Sequence, residues 1–94
     1  MTLSFPNVSR SYDPEGRRIR FWGYDSTIEV PFFLEEGIIF ILRPQTKNNE
    51  AAILAAFDEV RERICAVALK IYALHRHRSF YDLRTADFAH VASA

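Results

Sequence analysis

Residues 50–74 have the sequence EAAILAAFDEVRERICAVALKIYAL, and their spacing sets the architecture. Large apolar residues recur at intervals of three and four, the period of an amphipathic helix. They are Ile53, Phe57, Val60, Ile64, Val67, Ile71 and Leu74. Acidic residues concentrate in the first half of the segment and basic residues follow at its end, as the helix dipole prefers. We therefore predict one long helix whose apolar face covers a sheet.

Alternating polar and apolar residues predict four strands, near residues 2–5, 17–24, 27–32 and 79–84. The residues DPEG at 13–16 favour a type I turn, because Asp, Pro and Gly suit its first, second and fourth positions. Residues 34–42 remain ambiguous: Glu35-Glu36-Gly37 could turn between two strands, whereas Leu34, Ile38, Ile41 and Leu42 would share one helical face. The expected fold is α+β, with a small antiparallel sheet covered by one long helix.

Composition limits the classes of protein to which the chain can belong. Its 94 residues suit a single α+β domain over 1–94, and 49% of them are hydrophobic. Twelve Lys plus Arg balance twelve Asp plus Glu, so net charge does not draw the chain to nucleic acid. A single cysteine excludes an intramolecular disulfide, and the apolar run 38–42 is far shorter than the roughly 20 residues of a membrane span. We expect a cytoplasmic protein with no membrane partner.

A set of short motifs extends over nearly the whole chain: Ser4-Phe5-Pro6, Tyr12-Asp13, Arg20-Phe21-Trp22-Gly23, Phe57 with Arg61 and Ile64, and Asp87-Phe88. In this order and spacing they resemble the bacterial family known as domain of unknown function 1488. The resemblance implies a compact α+β fold with a small antiparallel sheet. It also implies a short helix over residues 34–42, which we adopt as the prediction there. No activity, cofactor or catalytic residue is implied.

Candidate catalytic and metal-binding residues are few. Cys65 could pair with His75, His77 or His90 as a thiolate and imidazole, but it falls beside Leu54 and Tyr72, where a thiol acts as a small apolar filler. His75 and His77 could bind a metal with Asp87 or His90. They belong to no recognised zinc motif and suit the cationic end of a helix. We expect no cofactor, no metal and no catalytic residue.

Cationic and aromatic residues suggest a nucleic-acid surface as one alternative. Its candidate residues are Arg17, Arg18, Arg20, Trp22, Arg76 and Arg78. Interleaved arginine and aromatic side chains on a strand can contact phosphates and stack on bases. Against this, strand alternation sends Ile19 and Phe21 to the face opposite Arg18 and Arg20. We therefore expect the aromatic residues in the core and the arginines on the solvent-exposed face of the strand.

Small residues on the other side of the predicted helix suggest a homodimer. Close helix approach is permitted by the strip Ala51, Ala55, Ala66, Leu69 and Ala73. A two-fold antiparallel pair would set the acidic first half of each helix beside the basic end of its partner. The leading hypothesis is a non-catalytic interaction or regulatory module of unknown partner. Nucleic-acid binding is the first alternative and an enzyme of unrecognised type the second.

Overall fold

The computed structural model describes residues 3–88. This part of the chain has an α+β fold in which a five-stranded mixed sheet packs against three α-helices. The strands are β1 (Leu3–Ser4), β2 (Arg10–Asp13), β3 (Arg18–Asp25), β4 (Ile28–Glu35) and β5 (Tyr81–Leu83). The helices are α1 (Glu36–Leu42), α2 (Glu50–Glu59) and α3 (Arg61–Leu74), and a short 3₁₀ helix covers Thr85–Phe88. The short helix predicted from the family resemblance is confirmed as α1.

A long hairpin formed by β3 and β4 lies at the centre of the sheet. Both β1 and β2 pair antiparallel with β3, whereas β5 pairs with the other edge of the hairpin. Because the three helices carry the chain back over the sheet, β5 enters parallel to β4, with Tyr81 opposite Phe32. The prediction of a purely antiparallel sheet is therefore wrong. The sequence pattern also did not predict β2.

The prediction of one long helix is wrong as well, because Val60 divides it. Val60 has φ −108° and ψ 14°, outside the helical region, and so ends α2 and begins α3. It is nevertheless 5% exposed, as its place in the apolar stripe predicts. The break allows α2 to contact β2 and α3 to contact β5. The two helices thus cover opposite edges of the sheet.

The core lies between the inner face of the sheet and the helices. Fully buried residues of the hairpin, among them Phe21 and Phe32, meet Phe57 of α2 and Ile64 of α3. The rings of Phe21 and Phe32 stack 5.4 Å apart, and Phe57 lies 5.2 Å from Phe21. The predicted stripe is buried from Ile53 to Val67, but Leu74 is 73% exposed because it lies at the end of α3. Among residues 3–88, no helix is long and apolar enough to cross a membrane.

The turn between β2 and β3 supplies a pH-dependent contribution to stability. Asp13 accepts hydrogen bonds from the N–H groups of Glu15 and Gly16 and from Arg18 Nε, at 3.1 to 3.2 Å. The backbone bond from Gly16, followed by the bond from Arg18, lowers the pKa of Asp13 below its usual value. As the pH falls, Asp13 is therefore protonated at a higher pH in the unfolded chain than in the folded protein.

We expect the contribution of Asp13 to be complete at neutral pH. This contribution begins to be lost when the pH falls through about 3.9, the usual pKa of an aspartate, and is fully lost below the lower pKa of Asp13 in the folded protein. Asp13→Asn should therefore destabilise the protein at pH 7 and much less at low pH. Urea unfolding of both proteins from pH 7 to pH 3 measures this. A difference that stays constant over that range would contradict the prediction.

Candidate functional site

The outer face of the sheet is opposite to the core. In the described part of the chain, the buried residues of all three helices pack against the inner face. Strand alternation places Arg18, Arg20, Trp22 and Tyr24 together on the outer face of β3, because Ile19 and Phe21 point inward. The expectation that the aromatic residues of this strand belong to the core is confirmed for Phe21. It is wrong for Trp22, which is half-buried on the same face as the arginines.

An aromatic patch forms the centre of this outer face. It comprises Trp22, Pro31, Phe33 and Phe80. Trp22 is directly opposite Pro31 in the central hairpin. The ring of Phe80, just before β5, meets that of Phe33 edge-on at 5.9 Å and remains 49% exposed. The patch thus extends across β3 and β4 to the residue before β5, and no helix lies over it in the described residues.

Arg20 and Arg18 both lie over rings of the aromatic patch, but within residues 3–88 only Arg18 forms ion pairs. The guanidinium of Arg18 lies 3.9 Å from the centre of the Phe33 ring, with Asp13 at 3.1 Å and Asp82 at 3.6 Å. The guanidinium of Arg20 lies 5.1 Å from the Trp22 ring and 6.0 Å from Phe33. Within residues 3–88, the ion pairs at up to 4.0 Å do not include Arg20. Arg20 is therefore available to a carboxylate of a ligand.

Charged residues of both signs surround the aromatic patch. Two shallow grooves of about 200 and 390 Å³ lie beside β5, where Arg84 lines both and Arg78 lines the larger. Among residues 3–88, the charged side chains around the patch are four arginines and four carboxylates, namely Arg18, Arg20, Arg78 and Arg84 with Asp13, Glu29, Glu35 and Asp82. These eight side chains together carry no net charge.

The residues predicted to bind nucleic acid do not form one surface. Arg18, Arg20 and Trp22 share the outer face, and Arg78 borders it. Arg17 is exposed in the turn before β3, with a φ of 52°. Arg76 follows α3 and lies 5.8 Å from the Tyr72 ring. Carboxylates interrupt the basic residues that do share a face, so no continuous basic surface results.

The residues of the predicted dimer strip are all exposed, with Leu69 at 43%. Because the chain breaks at Val60, Ala51 and Ala55 belong to α2 while the other three belong to α3. The five residues therefore do not form a continuous strip on one straight helix. The prediction of a homodimer now depends on the three residues of α3. Dimerisation stays a prediction.

We expect light scattering after size exclusion to give the mass of a dimer at tens of micromolar. Ala66→Arg combined with Leu69→Glu should reduce that mass to the monomer, because both side chains are exposed on α3. Trp22→Glu, on the opposite side of the molecule, serves as the control and should leave the dimer intact. A monomeric parent protein, or a double variant that still dimerises, would contradict this interface.

The residues considered as a nucleophile or as metal ligands are Cys65 and the histidines, and the structure places Cys65 and His75 in contacts that support the fold. Cys65 is half-buried against the core, and this burial raises the pKa of its thiol, so the thiol is a weak nucleophile at neutral pH. His75 caps α3, and its carbonyl accepts a hydrogen bond from the Tyr81 hydroxyl at 2.6 Å. His90 lies outside the described residues. Among residues 3–88, no group of three or more His, Cys, Asp or Glu residues is placed to hold a metal ion.

Sequence reasoning missed three members of the outer face that now define it, Pro31, Phe33 and Phe80. Alternation in β4 could have paired Pro31 and Phe33 with the arginine face, since both have the parity of Glu29 and Glu35. Phe80 could not be placed in this way, because its position depends on the parallel pairing of β5 with β4.

In the part of the chain that the structure describes, these features define an α+β protein whose sheet has one face covered by helices and one face without them. The chain matches, over residues 3–84, the model of a family described as protein of unknown function (DUF1488), and it belongs to that family. The resemblance inferred from the sequence motifs is thereby confirmed. No curated protein and no solved structure matches the chain.

Proposed function

We propose that the protein is a non-catalytic interaction module that binds another protein on the outer face of its sheet. The observation that carries this proposal is the partly exposed aromatic patch beside Arg20, an arginine outside the ion pairs of the described residues. Trp, Tyr and Arg are the residues that contribute most to binding at protein interfaces. An apolar centre with a charged rim is also the usual anatomy of such interfaces.

The charges of the outer face favour a protein partner over a nucleic acid. Four arginines and four carboxylates give no net attraction for a phosphate backbone, whose binding depends on counterion release by excess cations. A protein surface can instead match charges of both signs. We expect the partner to place an apolar segment on Trp22 and Phe33 and a carboxylate on Arg20, since arginine forms bidentate pairs with carboxylates.

The local chemistry supports binding rather than catalysis. The raised pKa of Cys65 keeps its thiol protonated. Tyr12 and Tyr72 each donate a hydrogen bond to a carboxylate, Glu36 and Asp25 respectively, and these bonds raise the pKa of both phenols. Both phenols therefore remain protonated donors at neutral pH, unsuited to act as a general base.

Site-specific photo-crosslinking tests the proposal. Trp22 is replaced by p-benzoyl-L-phenylalanine, the protein is irradiated in its native lysate, and the adduct is identified by mass spectrometry. We expect one predominant protein adduct, which is lost when Arg20→Glu is added. The same crosslinker at exposed Lys70 of α3 is the control and should not give that adduct.

The partner identified in this way is then purified and titrated. Trp22→Ala should weaken its binding at least tenfold and Lys70→Ala should not, because one side chain is in the aromatic patch and the other is on α3. An adduct with a second copy of the chain would identify the face as a dimer interface. That result would overturn the proposal, as would equal binding by both variants.

Nucleic-acid binding is kept as a second candidate because Arg20 lies above the ring of Trp22, as in stacking platforms for bases. The balanced charges predict no measurable binding of a single-stranded oligonucleotide at physiological salt. Fluorescence anisotropy measures this. Micromolar, salt-sensitive binding that is lost in Arg18→Glu combined with Arg20→Glu would establish this candidate in place of protein binding.

A further inference from the structure

A cleft of about 270 Å³ lies between the turn that joins β3 to β4 and the segment that follows α3, and it shares Glu29 and Arg78 with the rim of the outer face. One wall comes from the end of the hairpin and includes Asp25 and Glu29. The other comes from Tyr72 and the consecutive basic residues Arg76, His77 and Arg78. The lining of the cleft therefore includes both acidic and basic side chains, and its size is suited to a small molecule rather than a protein segment.

Asp25 is the unusual residue of this cleft. At 7% exposure, it is the buried charged residue of the described chain. One of its oxygens, Oδ2, accepts a hydrogen bond from the Tyr72 hydroxyl. The Tyr72 ring is itself held edge-on against Tyr81 at 5.6 Å. Because a carboxylate can accept about four hydrogen bonds, Asp25 keeps capacity for a donor from a ligand. A buried carboxylate at the wall of a cleft is costly to folding, which favours a functional role.

The remaining wall residues complement this carboxylate. Glu29 adds a second acidic group, and Arg76 and Arg78 supply guanidinium donors that suit a carboxylate of a ligand. Val30 and Ile28 contribute apolar surface, and Ile28 is 66% exposed at the end of β4. A ligand that uses all three parts of the cleft carries an ammonium, a carboxylate and a small apolar group.

We propose that this cleft binds a free apolar α-amino acid. Its ammonium lies against Asp25 and Glu29, its carboxylate against the guanidinium groups of Arg76 and Arg78, and its side chain on Ile28. A lining with groups of both signs distinguishes this ligand from a simple anion, which Asp25 and Glu29 repel. It also distinguishes the ligand from a simple cation, which Arg76 and Arg78 repel.

Titration calorimetry with L-leucine and two blocked analogues tests the inference. L-Leucine should bind with a Kd near or below about 1 mM. N-acetyl-L-leucine lacks the ammonium and L-leucinamide lacks the carboxylate, so each should bind at least tenfold more weakly. Absence of leucine binding at about 10 mM would overturn the proposal. Equal binding of either analogue would also overturn it.

Substitutions of the lining residues test whether L-leucine binds in this cleft. Asp25→Asn and Arg76→Gln should each weaken L-leucine binding at least tenfold. Lys70→Gln, on an exposed position of α3 outside the cleft, is the matched control and should bind as the parent does. If Asp25→Asn does not fold, Glu29→Gln replaces it, because Glu29 is exposed. Unchanged affinity in Arg76→Gln together with Glu29→Gln would place the binding elsewhere and refute the assignment.

Discussion

Replacing Ile64 by aspartate should unfold the protein. Ile64 is fully buried in the first half of α3, where its stripe packs on the inner face of the sheet. A carboxylate at that position would be buried without a partner, at a cost of more than about 4 kcal/mol. Small domains have total stabilities of about 5–15 kcal/mol, so this cost removes a large part of the stability and, at the lower end of that range, nearly all of it. Circular dichroism during a thermal melt measures the effect.

Leu74→Asp is the matched control, since Leu74 is 73% exposed at the end of the same helix and lies outside the predicted dimer strip. It also replaces an aliphatic side chain by a carboxylate, but without burial. We expect it to melt within a few degrees of the parent protein. If Ile64→Asp melts as cooperatively and as high as this control, α3 does not pack through Ile64.

Phe32→Ala should also destabilise the protein severely, by about 3–5 kcal/mol. The Phe32 ring is fully buried and stacks on Phe21 at 5.4 Å and on Tyr81 at 5.3 Å. Its truncation would leave a cavity between β3, β5 and the helices. Urea unfolding gives the loss as a shift of the transition midpoint at constant slope.

The next residue provides the control for this substitution. Phe33 is on the outer face and half-buried, with contacts to Arg18 and Phe80. We expect Phe33→Ala to cost about 1 kcal/mol, because no core cavity is created. Equal losses for both variants would mean that the outer face is as tightly packed as the core, and would remove the basis for its use in binding.

Sequence periodicity predicted the buried face of the helical region, because burial from Ile53 to Val67 depends on local spacing alone. The break at Val60 could not be predicted in this way, since a straight helix and a broken one bury the same residues. The break allows α2 to contact β2 while α3 contacts β5. These are demands of tertiary packing that no local pattern records.

The sheet also shows how far local sequence patterns can predict the structure. The central hairpin was predicted within a few residues, because alternation marks each of its strands. The strand β2 has the sequence RSYD, in which Tyr12 is the single large apolar residue, so its pattern is too weak to identify it. The direction of β5 depends on how the helices return the chain to the sheet. The outer face therefore could be predicted for β3 but not for Phe80 and Arg84.

Oxidative footprinting of the free protein and of its complex with the crosslinked partner tests the proposed interface most directly. Hydroxyl radicals modify accessible side chains, and mass spectrometry compares each residue between the two samples. We predict that Trp22, Phe33 and Phe80 become protected in the complex, while Leu69 and Leu74 on α3 react as before. Protection of Leu69 and Leu74 with unchanged reactivity of Trp22 would contradict binding at the outer face of the sheet.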